Sequence, residues 1–224
     1  MFVIKVIFFD TETTGLNCFD CKIIELAMLT VENGEIIDEY DEFVDIGVKL
    51  NPKITDLTGI TDDDLMDKGL YEDIIAEDLK ERLTPGTLMI AHNCQFDLHF
   101  IYQLLKRHYP TEAYDIVSKV DWIDTLTILK DRKDYPHKLI DAVHYYELEE
   151  VKFHRAIDDT KALYKVTLAM KDKRNDILLY KNIFGYNPKW PIRRKEKFEF
   201  ITYKQQPYHN LGEAVPEDKI LPRL

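Results

Sequence analysis

The chain has 224 residues, 45% of them hydrophobic and 12% aromatic, which is enough for one or two globular domains with a buried core. Eight Gly and nine Pro exclude collagen-like and Gly/Pro-rich disordered chains, and three Cys cannot form a disulfide framework. Thirty Lys and Arg against 41 Asp and Glu leave a net charge of −11, which argues against binding polyanions through bulk charge.

Val3 to Asp10 is a short apolar run that reads as a buried strand delivering Asp10 to the carboxyl end of a sheet. The apolar stretch from Met1 to Phe9 is interrupted by Lys5 and stopped by Asp10. It is too short to span a membrane and lacks a signal-peptide cleavage site, so a cytoplasmic setting is expected. Lys22 to Val31 and Glu35 to Val44 are strand candidates joined at Asn33-Gly34, a hairpin turn signal. Thr61 with Asp62, Asp63 and Asp64 supplies an N-cap and first-turn charge for a short helix, and Glu72 to Leu83 follows as a second. Thr87 to Ala91 reads as a buried strand and Phe96 to Lys106 as an amphipathic helix. Val120 to Trp122 is a brief strand, and Thr125 to Leu129, Lys138 to Tyr146 and Asp158 to Met170 are helices. Asp176 to Phe184 has the pattern of one more helix, broken by Gly185-Tyr186-Asn187-Pro188. Three strands followed by strands alternating with helices predict a mixed sheet with helices on both faces.

Charge is uneven along this order. Glu32 to Leu83 carries seventeen acids and five bases, a balance of −12, so the remainder of the chain sums to about +1. Lys189 to Lys204 has six bases and two acids. Both runs suit solvated surface, and the second also suits a basic working face.

Three strings carry candidate chemistry. In Phe9-Asp10-Thr11-Glu12-Thr13-Thr14-Gly15, Asp10 and Glu12 stand two apart at a strand end and point the same way. Two adjacent carboxylates repel each other unless a cation joins them, and oxygen ligands suit Mg²⁺ or Mn²⁺; a solvated turn is the plainer alternative. In Ala91-His92-Asn93-Cys94-Gln95-Phe96-Asp97, Asp97 opens a helix, where an acid also serves the helix dipole. In Phe153-His154-Arg155-Ala156-Ile157-Asp158-Asp159-Thr160, His154 precedes a helix whose first turn holds Asp159.

In this order the strings resemble those of the DnaQ-like 3′-to-5′ exonucleases, the proofreading-subunit group called DEDDh after its four acids and histidine. Phe8 to Leu16 resembles the first motif of the group, His92-Asn93 with Phe96-Asp97 the second, and His154-Arg155-Ala156 with Asp159 the third. Pro52, Ile54, the segment Leu57-Thr58-Gly59-Ile60-Thr61 and Asp124-Thr125-Leu126 resemble its connecting segments. The resemblance covers Val3 to Met170.

It implies a ribonuclease-H-like fold with a five-stranded mixed sheet, three antiparallel strands leading into parallel ones. It implies two divalent cations, Mg²⁺ or Mn²⁺, on Asp10, Glu12, Asp97 and Asp159, with His154 as general base. It places Thr11, Thr13 and Leu16 beside the sugar and base of the terminal nucleotide and Asn93 near the rim of the substrate site. On this basis residues 1–173 form an exonuclease domain and residues 174–224 an extension packed on it. The expected reaction is hydrolysis at the 3′ end of single-stranded DNA to nucleoside monophosphates, in proofreading or repair, alone or beside a separate DNA polymerase. The alternatives are an RNA-trimming enzyme of the ribonuclease T or oligoribonuclease type, and a non-catalytic module that binds nucleic acid or a polymerase. Cys18-x2-Cys21 has no second ligand pair at zinc spacing. Tyr180, Phe184, Tyr186 and Trp190, next to Arg193-Arg194-Lys195, either grip nucleic acid or a partner or fold onto the chain's own apolar surface.

Overall fold

The computed structural model describes residues 5–149, 155–189, 192, 197–207 and 214–222. Eight strands and eight α-helices are found among them: β1 (Lys5–Thr13), β2 (Ile23–Glu32), β3 (Glu35–Asp45), α1 (Pro52–Thr58), α2 (Asp62–Lys68), β4 (Leu70–Tyr71), α3 (Glu72–Arg82), β5 (Thr87–Ala91), α4 (Cys94–His108), α5 (Ala113–Ser118), β6 (Asp121–Asp124), α6 (Thr125–Arg132), α7 (Leu139–Tyr145), α8 (Ala156–Lys173), β7 (Ile183–Tyr186) and β8 (Thr202–Gln205). Six strands form one sheet in the order β4-β3-β2-β1-β5-β6. β1 runs antiparallel to β2, and β2 antiparallel to β3, while β5 runs parallel to both β1 and β6. The mixed α/β architecture is therefore the expected one, with six strands instead of five. The added strand is the two-residue β4, which pairs in parallel with the end of β3 and is too short to show a pattern in sequence.

β1 is central, and its run Val6-Ile7-Phe8-Phe9 is buried on both faces, which is why it reads as continuous apolar sequence without alternation. The two parities serve different cores. Ile7 and Phe9 pack with Leu98, Ile101 and Trp122 on the α4 side, whereas Val6 and Phe8 pack with Leu163 and Val166 on the α8 side. β5 repeats the division, Met89 and Ala91 on one side and Leu88 and Ile90 on the other. The sheet thus holds α4 and α8 against opposite faces of the same strand, and the carboxyl end of that strand is where they converge.

Local signals act as the sequence suggests. Asn33 and Gly34 both have positive φ, 54° and 85°, the geometry of the two-residue hairpin turn that matches strand twist. Thr61 and Asp64 form a reciprocal capping box at the start of α2. Past α8 the structure departs from the expected single helix over Asp176 to Phe184. A 3-10 turn, Ile177–Tyr180, is followed by β7, which pairs in parallel with β8. Two polar residues impose this break. Asp176 is fully buried and accepts from Arg132 and Arg174. Asn182, at φ 57°, exchanges hydrogen bonds with the backbone of Trp122 at the edge of β6. Phe184, Phe198 and Ile201 from this region are buried in the α4-side core. No helix among the described residues is long and apolar enough to cross a membrane.

Candidate active site

Asp10 and Glu12 project from the end of β1 on the α8 side, and Asp159 stands in the first turn of α8. Each of the three offers one carboxylate oxygen, and these oxygens all lie within 4.8 Å of one another. Of the adjacent pair Asp158 and Asp159, it is Asp159 that joins the group. Asp97, buried in the first turn of α4, arrives from the opposite face and accepts a 2.7 Å hydrogen bond from the Thr11 hydroxyl.

The electrostatics of the cluster are adverse. Burial, and then the charges of Asp97, Asp159, Glu12 and Glu25, hold the Asp10 carboxyl well above the ordinary carboxylate range. Glu12 is pushed up to about 7, first by burial and then by Asp159, Glu25 and Asp97. Burial also raises Asp97 to about 7 against the opposing effect of the Thr11 hydrogen bond. Such shifts are expected where acids face one another with too little positive charge between them. Oxygen-only donors at this spacing, short of positive charge, fit a hard divalent cation of the Mg²⁺ or Mn²⁺ kind.

Two acids that the sequence reading left without a role set this geometry. Glu25 lies opposite Glu12 on β2 and is fully buried. It receives Arg155 Nε and Nη2 at 2.8 and 2.6 Å and the backbone N–H of Ala156 at 3.0 Å. In this way it caps α8, whose N-cap residue Arg155 makes no side-chain cap of its own, and aims the turn that bears Asp159. Asp124 does the same for α4. One of its oxygens accepts from the backbone N–H groups of Asn93, Cys94 and Leu126, and the other from the Thr127 hydroxyl. The signal for Glu25 was available: one acid inside the apolar run Ile23-Ile24-Glu25-Leu26-Ala27-Met28 must be paired if the strand is buried.

The residues expected beside a nucleotide are divided. The Thr11 hydroxyl is committed to Asp97, and the Thr13 hydroxyl donates to the Gly15 carbonyl at 2.8 Å. Leu16 is 88% exposed, so core packing does not account for it. Leu16 and Asn93 line a cavity of about 340 Å³ between the loop after β1 and the first turns of α4, with Phe96 on its wall. Asn93 takes a left-handed conformation, φ 68°, that ends β5 and starts α4. His154 lies outside the described residues. His92 donates from Nε2 to the His137 carbonyl, and burial lowers its pKa. Cys18, Cys21 and Cys94 form no disulfide among the described residues. Tyr180 and Phe184 are core residues, while Trp190, Arg193, Arg194 and Lys195 are outside the described residues.

This fold, with acids gathered at the end of its central strand, matches a defined group. Residues 7–167 match the RNase T family of exonucleases, and the chain belongs to that family. It is 37% identical over 166 residues to the DNA polymerase III PolC-type of Bacillus subtilis, covering 72% of this chain and 11% of that protein. It is 35% identical over 206 residues to the PolC-type polymerase of Staphylococcus aureus, covering 90% of this chain and 13% of that protein. The chain thus spans about an eighth of the length of these relatives. Ninety per cent of 224 residues is about 202, so the staphylococcal match runs well past residue 173 and takes in part of the stretch that the motif resemblance leaves out. Among solved structures, Escherichia coli exonuclease I in complex with a dA16 oligonucleotide superimposes with a TM-score of 0.68 at 17% identity. The match covers 76% of this chain and 41% of that one.

Proposed function

We propose that this chain is a divalent-metal-dependent 3′-to-5′ exonuclease that releases nucleoside 5′-monophosphates from single-stranded DNA. The observation that carries the reading is the meeting of Asp10, Glu12 and Asp159 within 4.8 Å, in a family of exonucleases. Asp10, Glu12, Asp97 and Asp159 would hold two ions, which neutralise the phosphoryl oxygens and acidify the attacking water. The chain's own residues do the rest. Glu25, with Arg155, fixes the turn carrying Asp159, and Thr11 holds Asp97 in place. Leu16 and Asn93 border the cavity that seats the terminal nucleotide. His154 takes the proton from the water that attacks phosphorus, a task suited to an imidazole near neutral pH. The P–O3′ bond breaks, the shortened strand keeps its 3′-hydroxyl, and the mononucleotide departs. Single-stranded ends are favoured because a frayed terminus reaches the site without an unpairing cost.

DNA is preferred over RNA as substrate because the relatives are named as DNA polymerases and the superimposed exonuclease holds a DNA strand. The same reading has the chain act in the cytoplasm in proofreading or repair, alone or alongside a separate DNA polymerase. It also treats residues 1–173 as the exonuclease domain and residues 174–224 as an extension on it, supported by the burial of Phe184, Phe198 and Ile201 in its core.

The test is degradation of matched DNA and RNA oligonucleotides labelled at the 5′ or 3′ end, with Mg²⁺ or Mn²⁺. Shortening from the 3′ end, faster on DNA and abolished by chelator, is expected. Shortening from the 5′ end, or no chelator-sensitive cleavage, overturns the proposal. His154→Ala is expected to fold and to lose most hydrolysis; near-wild-type turnover would remove His154 from the mechanism.

A further inference from the structure

The cavity lined by Leu16 and Asn93 does not end at α4's first turns. Phe19 and His99, on its wall, also line a second cavity of about 220 Å³. Its further wall is built by Tyr102, Lys106, Tyr114 and Lys197. From Gln95 to Lys106 the lining follows one face of α4, a path of about 16 Å at 1.5 Å per residue. The far bank is supplied by the segment after β7. Phe198 is buried against His99 and Tyr102, with ring centroids 4.8 and 5.3 Å away, and Phe200 meets Tyr114 at 5.7 Å. The Phe198 N–H donates to the Tyr203 hydroxyl at 3.1 Å, fixing the segment that places Lys197 at the rim.

The chemistry of this lining differs from that of the molecule. In a chain of net charge −11, the described residues of the second cavity's wall include two lysines and no acid. Lys106 and Lys197 are both exposed. Phe19 and Tyr114 are 50% and 38% exposed, which leaves part of each ring open to the channel. Spaced cations with exposed aromatic rings along a channel are what a single strand requires, since phosphates take the charge and any base can stack.

We propose that this channel is a second subsite, in which residues 197–203 and α4 together bind the nucleotides upstream of the terminal one, with Lys106 and Lys197 on their phosphates and Phe19 and Tyr114 against their bases. It rests on the nuclease reading of the acidic cluster and adds to it a reason for preferring longer strands. Cations on the acids would engage only the phosphate being cut, and this channel continues from the cavity lined by Leu16 and Asn93 to Lys106 and Lys197.

The test measures the affinity of the full chain for 5′-fluorescein-labelled dT3 and dT12 in Ca²⁺ over a range of salt. The proteins compared are wild type, Lys106→Gln/Lys197→Gln, Lys106→Glu/Lys197→Glu, and Lys49→Glu/Lys53→Glu as a charge-matched control on another face. Wild type is expected to bind dT12 at least about tenfold more tightly than dT3. The two Lys106/Lys197 variants should lose most of that ratio, and the Gln variant should flatten the salt slope by about 1.4, the share of two phosphate contacts on a single strand. The control should keep the wild-type ratio. An unchanged ratio in the Lys106/Lys197 variants, an equal loss in the control, or a wild type that does not distinguish the two lengths overturns the subsite. Release of mononucleotide from dT3 by wild type in Mg²⁺ is scored separately, so failure of the nuclease reading is told apart from failure of the channel.

Discussion

Two sets of sunken carboxylates in this molecule have opposite surroundings. Glu25, Asp124 and Asp176 are buried and met by donors: guanidinium groups, backbone N–H groups at helix starts, and a hydroxyl. Asp10, Glu12 and Asp159 instead bring carboxylate oxygens within 4.8 Å of one another. A carboxylate satisfied by N–H donors belongs to the architecture, because removing it leaves those donors without partners. Carboxylates that raise one another's pKa store unfavourable energy in the fold, which a bound cation relieves. The first set holds α8 and α4 so that the second can be crowded together.

The largest effect should come from separating neighbours. Asp159→Asn is expected to lower Mg²⁺-dependent hydrolysis by at least about 100-fold, since outer partners alone are commonly worth 10–100-fold. Asp158→Asn, one residue away, should stay within about twofold, and comparable losses in steady-state assays would show that position in the first turn of α8 does not select the ligand. Glu25→Ala should destabilise the protein by about 3 kcal/mol in urea titration, the low end for breaking a buried ion pair because the Arg155 side chain is 41% exposed. It should also weaken Mg²⁺ binding by about tenfold through α8. An unchanged Mg²⁺ affinity would confine Glu25 to stability.

The chelated protein provides a pH test. Glu12 and Asp97 have folded-state values near 7, above those of the unfolded chain near 4. The unfolded state therefore releases its protons first, and stability present below about pH 4 declines as pH rises through 7. Tm in chelator should fall by several degrees between pH 5 and 8, and saturating Mg²⁺ should flatten the curve; a Tm that rises over this range in chelator would contradict the crowded-acid account. The smallest effect is expected for Thr11→Val. Loss of one hydrogen bond to Asp97 should cost about 1 kcal/mol, raise the pKa of Asp97 and reduce turnover modestly, as read from the pH profile of hydrolysis.

Much of the fold could be read from local patterns. The hairpin at Asn33-Gly34, the Thr61 cap, the central strand and α4 all follow from spacing or turn chemistry acting over a few residues. The elements that could not be read are those made by distant partners. β4 is two residues long and exists only against β3, and the 3-10 turn with β7 replaces an amphipathic pattern because Asp176 and Asn182 bond to groups about 45 and 60 positions away. Leu16 is an apolar residue in the turn after the acid pair, and only its 88% exposure shows that it is not packed in the core.

By itself the sequence determined that Asp10 and Glu12 present their carboxylates together, because residues two apart on a strand must share a face whatever the rest of the chain does. It could not place Asp97 on one side of that strand and Asp159 on the other, nor show that Glu25 and Asp124 set the helices bearing them. Those facts depend on packing two helices against opposite faces of a single strand, and on buried donors that must find acceptors far along the chain.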